Sequence, residues 1–203
     1  MLMNKIAAYD YCETLIDAQS GNEFLLQYAQ KKLGLIKRLK AFFYGNLRFF
    51  KKNRKWLLLA LLKGESQQSI DSFAREFSYN WLKLHENHSL ISDLRDKNRN
   101  GFGTVIISAG YDVYINYHNL SIGSDVVIAN RLEFIDGIST GKIIGKDCYG
   151  AEKVARLDAV FSLDKVDLIN SYFYSDCMSD KPLFKLFGNS YFVSPNRLKK
   201  IDI

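Results

Sequence analysis

The sequence predicts an α/β fold, a parallel sheet covered by helices, with a long helical insertion after the first strand. Three observations lead there. IAAYDY, at 6–11, is an apolar run of strand length that ends in polar residues. From about residue 20 to residue 100 the chain lacks proline and repeats apolar residues at spacings of three and four. Beyond residue 104, β-branched runs alternate with helical segments, a pattern that builds parallel sheets between helical layers.

Taken in order, IAAYDY gives a buried strand ending at Asp10. SGNE, 20–23, sets a serine three residues before a glutamate, the capping-box spacing, and predicts a helix start near Ser20. Leu25, Leu26, Ala29 and Leu33, then Phe73, Phe77, Trp81 and Leu84, carry the helical period through the insertion. Gly34, Gly45 and Gly64 are expected to divide it into three or four helices. DKNRNGFG, 96–103, returns the chain to the core, with NRNG as a turn. TVIISAG, 104–110, is a strand, a helix is expected over 111–120, and DVVIANRLEF, 125–134, supplies more strand. FIDGISTGKIIG, 134–145, reads as a hairpin, GAEKVARLDAV, 150–160, as a helix, and NSYFYSD, 170–176, as a strand ending in aspartate. A short helix around 180–187 and the strand YFVSP, 191–195, complete the pattern.

Composition limits the function classes. With 203 residues, 47% of them hydrophobic, the chain can build one core and a smaller satellite. Cys12, Cys148 and Cys177 form no CxxC pair and read as reduced cytosolic thiols. Residues 31–55 hold ten Lys or Arg and no acid, so the +6 of the whole chain leaves −4 for the remainder. Basic character confined to one segment argues against nucleic-acid binding spread over the fold. Most of those cations suit a solvated face, but Phe42, Phe43, Tyr44, Phe49 and Phe50 stand among them. That mixture also fits peripheral contact with an anionic membrane. WLLLALL, 56–62, is too short to span a bilayer, and MLMNKIAAYDY reads as a core strand rather than a leader. The expected location is cytoplasmic.

In parallel α/β folds, ligands gather beyond the carboxyl ends of the strands. Asp10, Ser108 and Asp176 fall there, and Asp180 follows four residues after Asp176. Each alone is equally a cap or turn residue. Together the carboxylates suggest an oxygen-rich site suited to Mg²⁺, with Lys153 and an anionic phosphate completing the charge balance. Lys153 alone is equally a solvated helix residue. His85, His88 and His118 lack metal-ligand spacing and are assigned to packing or the surface.

These motifs resemble, in order, those of the haloacid dehalogenase-like superfamily, in the branch of the phosphoserine phosphatases. YDYCETL is similar to the nucleophile loop, VIISAG to the serine strand, GAEKVARL to the lysine helix and YSDCMSDKPL to the acidic loop. The hairpin NRLEFIDGISTGKIIG resembles that branch as well. The resemblance implies a Rossmann-like parallel sheet core, residues 1–16 and 99–203, and an inserted helical cap, residues 17–98. It implies Asp10 as nucleophile, with Mg²⁺ held by Asp10, the Cys12 carbonyl and Asp176, supported by Asp180. Ser108 and Lys153 would bind phosphate, and Thr14 would order the loop around it. Phosphatases of the superfamily carry an aspartate as acid and base two residues after the nucleophile; this chain has Cys12. The glutamate that recognises the substrate's amino group is replaced by Gln19, leaving Asp17 or Glu23 to take it over. CETL-type loops also resemble those of surface-polysaccharide biosynthesis proteins. The implied activity is hydrolysis of a small phosphorylated metabolite, an amino-alcohol, amino-acid or sugar phosphate. A phosphotransferase and a phospho-ligand-binding or membrane-associated module are the alternatives.

Overall fold

A computed structural model describes residues 5–46, 53–194 and 197–201. Residues 47–52, with Phe49 and Phe50 of the basic stretch, and Pro195 of the last predicted strand lie outside the described residues. Strand β1 (Ile6–Tyr9) leads into five α-helices: α1 (Ser20–Lys32), α2 (Leu35–Asn46), α3 (Arg54–Ala60), α4 (Gln67–Asn80) and α5 (His88–Arg99). The chain then alternates through β2 (Gly103–Tyr111), α6 (Asp112–Ile122) and β3 (Val126–Asn130). A hairpin of β4 (Leu132–Ile135) and β5 (Ile138–Ile143) precedes α7 (Ala151–Phe161), β6 (Tyr172–Ser175), α8 (Lys181–Phe184), β7 (Asn189–Ser194) and β8 (Arg197–Lys200).

Six strands form one sheet in the order β3-β2-β1-β6-β7-β8. Every pairing is parallel except the antiparallel β7–β8 edge. Side-chain alternation sorts the two faces. Ile6, Ala8, Val105, Ile107 and Phe173 pack with Leu157, Leu183 and Phe184 of α7 and α8. Ala7, Tyr9 and Ile106 share the other core with Phe24, Tyr28, Phe73 and Phe77 of the helical insertion. The insertion and the sheet therefore share one continuous apolar core, and the expected α/β architecture is present.

Local chemistry corrects the sequence reading at two points. Ser20 opens α1 but does not cap it; its side chain is fully buried and bonds elsewhere. Gly45 stands one residue before the last described residue of α2, where it also sits close to Leu26 of α1, a Cβ there coming 2.9 Å from Leu26 Cδ2. The strand expected over 125–134 divides at Arg131 into β3 and β4, because the chain leaves the sheet for the hairpin. Asp136 and Gly137 both have positive φ, +49° and +74°, as the tight turn between β4 and β5 requires.

The hairpin also touches the insertion. Gly64 N–H donates to Ser139 O at 2.9 Å, Ser139 N–H to Glu65 O at 2.8 Å, and Gln67 N–H to Gly137 O at 2.8 Å. No helix among the described residues is long and apolar enough to cross a membrane.

His118 of α6 is buried between insertion and core. Tyr11 Oη lies 2.8 Å from its Nδ1 and Glu86 Oε1 lies 3.0 Å from its Nε2, partners that a neutral ring meets by accepting from the tyrosine and donating to the carboxylate. Burial pushes this imidazole below its ordinary value, outweighing the attraction of Glu86. The folded protein thus binds this proton less readily than the unfolded chain. The resulting stability is complete above a pH of about 6.5 and is lost as pH falls through the lower folded value. His118→Gln is expected to flatten the decline in Tm between pH about 7.5 and about 5.5. Parallel slopes for variant and wild type would remove His118 from the acid response.

Candidate active site

Four segments distant in sequence bring polar side chains to the carboxyl end of the sheet. The register sets Tyr9 beside Ile106 and Tyr174, and Asp10 N–H continues it by donating to Tyr174 O at 2.8 Å. Asp10 therefore emerges beside the β6 residues Ser175 and Asp176, while Ser108 of β2 comes level with the loop that follows Asp10. Ser108 is buried, and its Oγ accepts from Gly110 N at 2.9 Å.

Lys153 lies in the first turn of α7 and is 3% exposed. Its ammonium donates to Asp10 Oδ1 at 2.8 Å and to Asp180 Oδ2 at 2.7 Å. Burial alone would lower its pKa, but the two carboxylates hold it above the ordinary lysine value. Ser175 Oγ donates to the same Asp180 oxygen at 2.8 Å and accepts from Cys177 N at 3.1 Å. Thr14 ties the loop that follows Asp10 to the acidic loop. It accepts from Asp176 N at 3.0 Å and donates to Asp176 Oδ1 at 3.3 Å.

The charge balance is left open on the acid side. Burial and the neighbouring Asp10 charge push the Asp176 carboxyl up to about 7. Burial also raises Asp180, against the pull of Lys153, and its Oδ1 is buried without a hydrogen-bond partner. The Lys153 ammonium pairs with two carboxylates and leaves Asp176, beside Asp10, without a cation among the described residues; carboxylate oxygens of this kind suit a hard, oxygen-seeking ion. No three Asp, Glu, His or Cys side chains form a ready metal cluster among the described residues.

Cys12 Sγ lies 3.1 Å from Ser20 Oγ, which lies 3.0 Å from Tyr114 Oη. Burial and Asp10 raise this thiol's pKa, against the Ser20 hydroxyl and the Ser20 and Gly21 N–H groups. Gly110 leaves room for this cluster, since a Cβ there would come 2.4 Å from Tyr114 Oη.

A profile described as "haloacid dehalogenase-like hydrolase" matches residues 7–185. The chain belongs to the haloacid dehalogenase-like hydrolases. It is similar to a phosphoserine phosphatase of Methanocaldococcus jannaschii, 23% identical, covering 98% of this chain and 90% of the relative. It is also similar to a histidinol-phosphatase of Neisseria meningitidis serogroup C, 26% identical over 96% and 92% of the two chains. A solved phospho-aspartyl intermediate analogue of phosphoserine phosphatase has the same fold, with TM-score 0.61 and 19% identity over 92% of this chain and 85% of that one.

In this hydrolase, Asp10, Thr14, Lys153, Asp176 and Asp180 are joined by the contacts above, with Ser108 on the adjacent strand. The three proposed substrate residues separate. Gln19 donates to Glu13, and Glu23 accepts from Gln27 along α1 at 2.8 Å. Asp17 instead lines a cavity of about 830 Å³ together with Glu13, Asp176, Leu90 and Phe192.

Sequence reasoning missed Ser175 and Lys55. Ser175 directly precedes Asp176 in the acidic motif, and that position was its only signal. Lys55 resembled nine other cations of a basic run. It leaves α3 to reach the core, donating to Ala109 O at 3.0 Å and pairing with Asp147. No sequence pattern distinguishes it.

Proposed function

We propose that this hydrolase is a magnesium-dependent phosphatase that cleaves a small phosphomonoester through an aspartyl-phosphate. The observation that carries this reading is the buried Lys153 ammonium shared by Asp10 and Asp180 beside the Ser108 strand end. Such an arrangement fixes a carboxylate next to positive charge, as phosphoryl transfer needs.

In the first step, an Asp10 oxygen attacks phosphorus, the ester P–O bond breaks, and the departing alkoxide takes a proton. Water then attacks the same phosphorus, releasing inorganic phosphate and restoring Asp10. Ser108 and Lys153 hold phosphoryl oxygens, and Thr14 keeps the Asp10 and Asp176 loops together. Asp10, Asp176 and the Cys12 carbonyl would hold Mg²⁺, with Asp180 behind them; the ion supplies charge that neutralises phosphoryl oxygens. Helices in 17–98 act as the cap that excludes water, over a core of residues 1–16 and 99–203.

Cys12 occupies the acid–base position. An ordinary thiol, of pKa about 8.5, is protonated at neutral pH, so it serves a leaving alkoxide better than it activates water. A positioned carboxylate in this role is worth roughly 10²–10⁴ in rate. Cys12→Asp is therefore expected to raise turnover by about tenfold or more, read as phosphate release under saturating ester. Cys12→Ala with wild-type turnover would exclude the thiol from proton transfer.

Asp17 and Glu13 on the cavity beside Asp176 favour esters that carry an amine, and the similarity to a histidinol-phosphatase supports the same class. The deciding experiment is a panel of amino-alcohol, amino-acid and sugar phosphates assayed with Mg²⁺ and with chelator. Sugar phosphates test the surface-polysaccharide resemblance. Magnesium-dependent phosphate release from an amine-bearing ester supports the proposal. No release from any ester, with no phosphoryl adduct on Asp10, overturns it.

A further inference from the structure

Helix α2 is packed with its larger apolar side chains outward. At about 100° per residue, Leu35, Ile36, Leu39, Phe42 and Phe43 share one sector about 120° wide. They are 70%, 72%, 52%, 62% and 50% exposed. The inward face carries Ala41, which is buried, Tyr44, which packs against the core, and Gly45, which sits close against Leu26 of α1. A surface helix of a globular domain normally buries its apolar stripe, and a contiguous exposed patch marks a contact surface.

Charge selects the occupant. Arg38 and Lys40 are exposed at the two borders of the apolar sector, and Lys32 stands exposed just before it. Lys37 turns inward instead, donating to Lys63 O at 2.8 Å and to Glu65 at 2.9 Å. Residues 31–55 contain no acid of their own, and among the described residues the acids that reach this run pair with Lys31, Lys37 and Lys55, not with Arg38 or Lys40. A second copy of the chain seated on this face would set like charge against like. Lipid headgroups of negative charge complement it, while acyl chains accept the leucines and phenylalanines. At twelve residues, α2 is about 18 Å long, suited to lie along a membrane surface rather than cross it.

We propose that α2 is a docking face for an anionic lipid surface, independent of the chemistry at Asp10. The test is co-sedimentation of the full chain with vesicles of phosphatidylcholine alone and with vesicles containing about 30% phosphatidylserine, at low and raised salt. Wild type is expected to pellet with the anionic vesicles alone, more weakly as salt rises. Leu39→Glu with Phe42→Glu should reduce binding at least about tenfold. Arg38→Gln with Lys40→Gln should reduce it about 25-fold, at about fivefold per basic residue. Circular dichroism establishes that each variant is folded, and Asp10→Asn should bind like wild type. The proposal is overturned if wild type ignores anionic lipid or binds both vesicles alike, or if the folded variants bind unchanged. It is equally overturned by a solution dimer that Leu39→Glu with Phe42→Glu dissolves while wild type binds no vesicle.

Discussion

Asp10→Asn is expected to abolish phosphate release while leaving the protein folded. Asparagine keeps the shape of the side chain and retains an oxygen to accept from Lys153 Nζ, which now lies 2.8 Å from Asp10 Oδ1. It lacks the carboxylate charge that attacks phosphorus, so turnover should fall by about 10⁴-fold or more. Two measurements check this. Phosphate release should drop to background, and mass spectrometry of rapidly quenched protein should lose the phosphoryl adduct on the peptide that carries residue 10. Turnover within about tenfold of wild type would remove Asp10 from the chemistry.

Lys153→Met is expected to damage both folding and catalysis, and the two effects can be separated. The ammonium is 3% exposed, and its carboxylate partners are nearly or fully buried. Taking it away leaves two buried carboxyl groups without compensation. Breaking one side of a buried pair costs about 3–5 kcal/mol. Turnover should fall by about 10²–10³-fold, because a charge held in place for the phosphoryl group is lost. The double variant Lys153→Met with Asp180→Asn removes one orphaned charge together with its cause. Its Tm should recover part of the loss, while turnover stays low. Recovery of turnover together with Tm would make Lys153 a purely structural residue.

The parts of the fold legible in the sequence were those fixed by local period and composition. IAAY is buried at every position and TVIISAG lies within β2, because a central parallel strand is covered on both faces. The sequence predicts a hairpin over 134–145; the structure sets it at Leu132–Ile143 with its turn at Asp136–Gly137, both of positive φ. Ser20 failed as a cap because a tertiary partner, the Cys12 thiol, competes for its hydroxyl. In the site, spacing and motif order located the aspartates, Ser108 and Lys153. The path of Lys55 and the support of Asp180 by Ser175 depend on distances that only the folded chain defines.

The three main-chain bonds between the β4–β5 hairpin and residues 64–67 restrict how the helical lobe can travel. Besides its covalent connections to the sheet, the helical insertion is tied to the core by this seam and, outside the hairpin, by the pairing of Lys55 with Asp147. A hinge that swung the helices alone would rupture this seam. The hairpin's own neck is closed by a bond from Ile144 N to Arg131 O of 2.9 Å. Helices and hairpin are thus held to the sheet by this seam, by Glu86 on His118 and by the shared apolar core, so the site's walls are fixed from several sides at once.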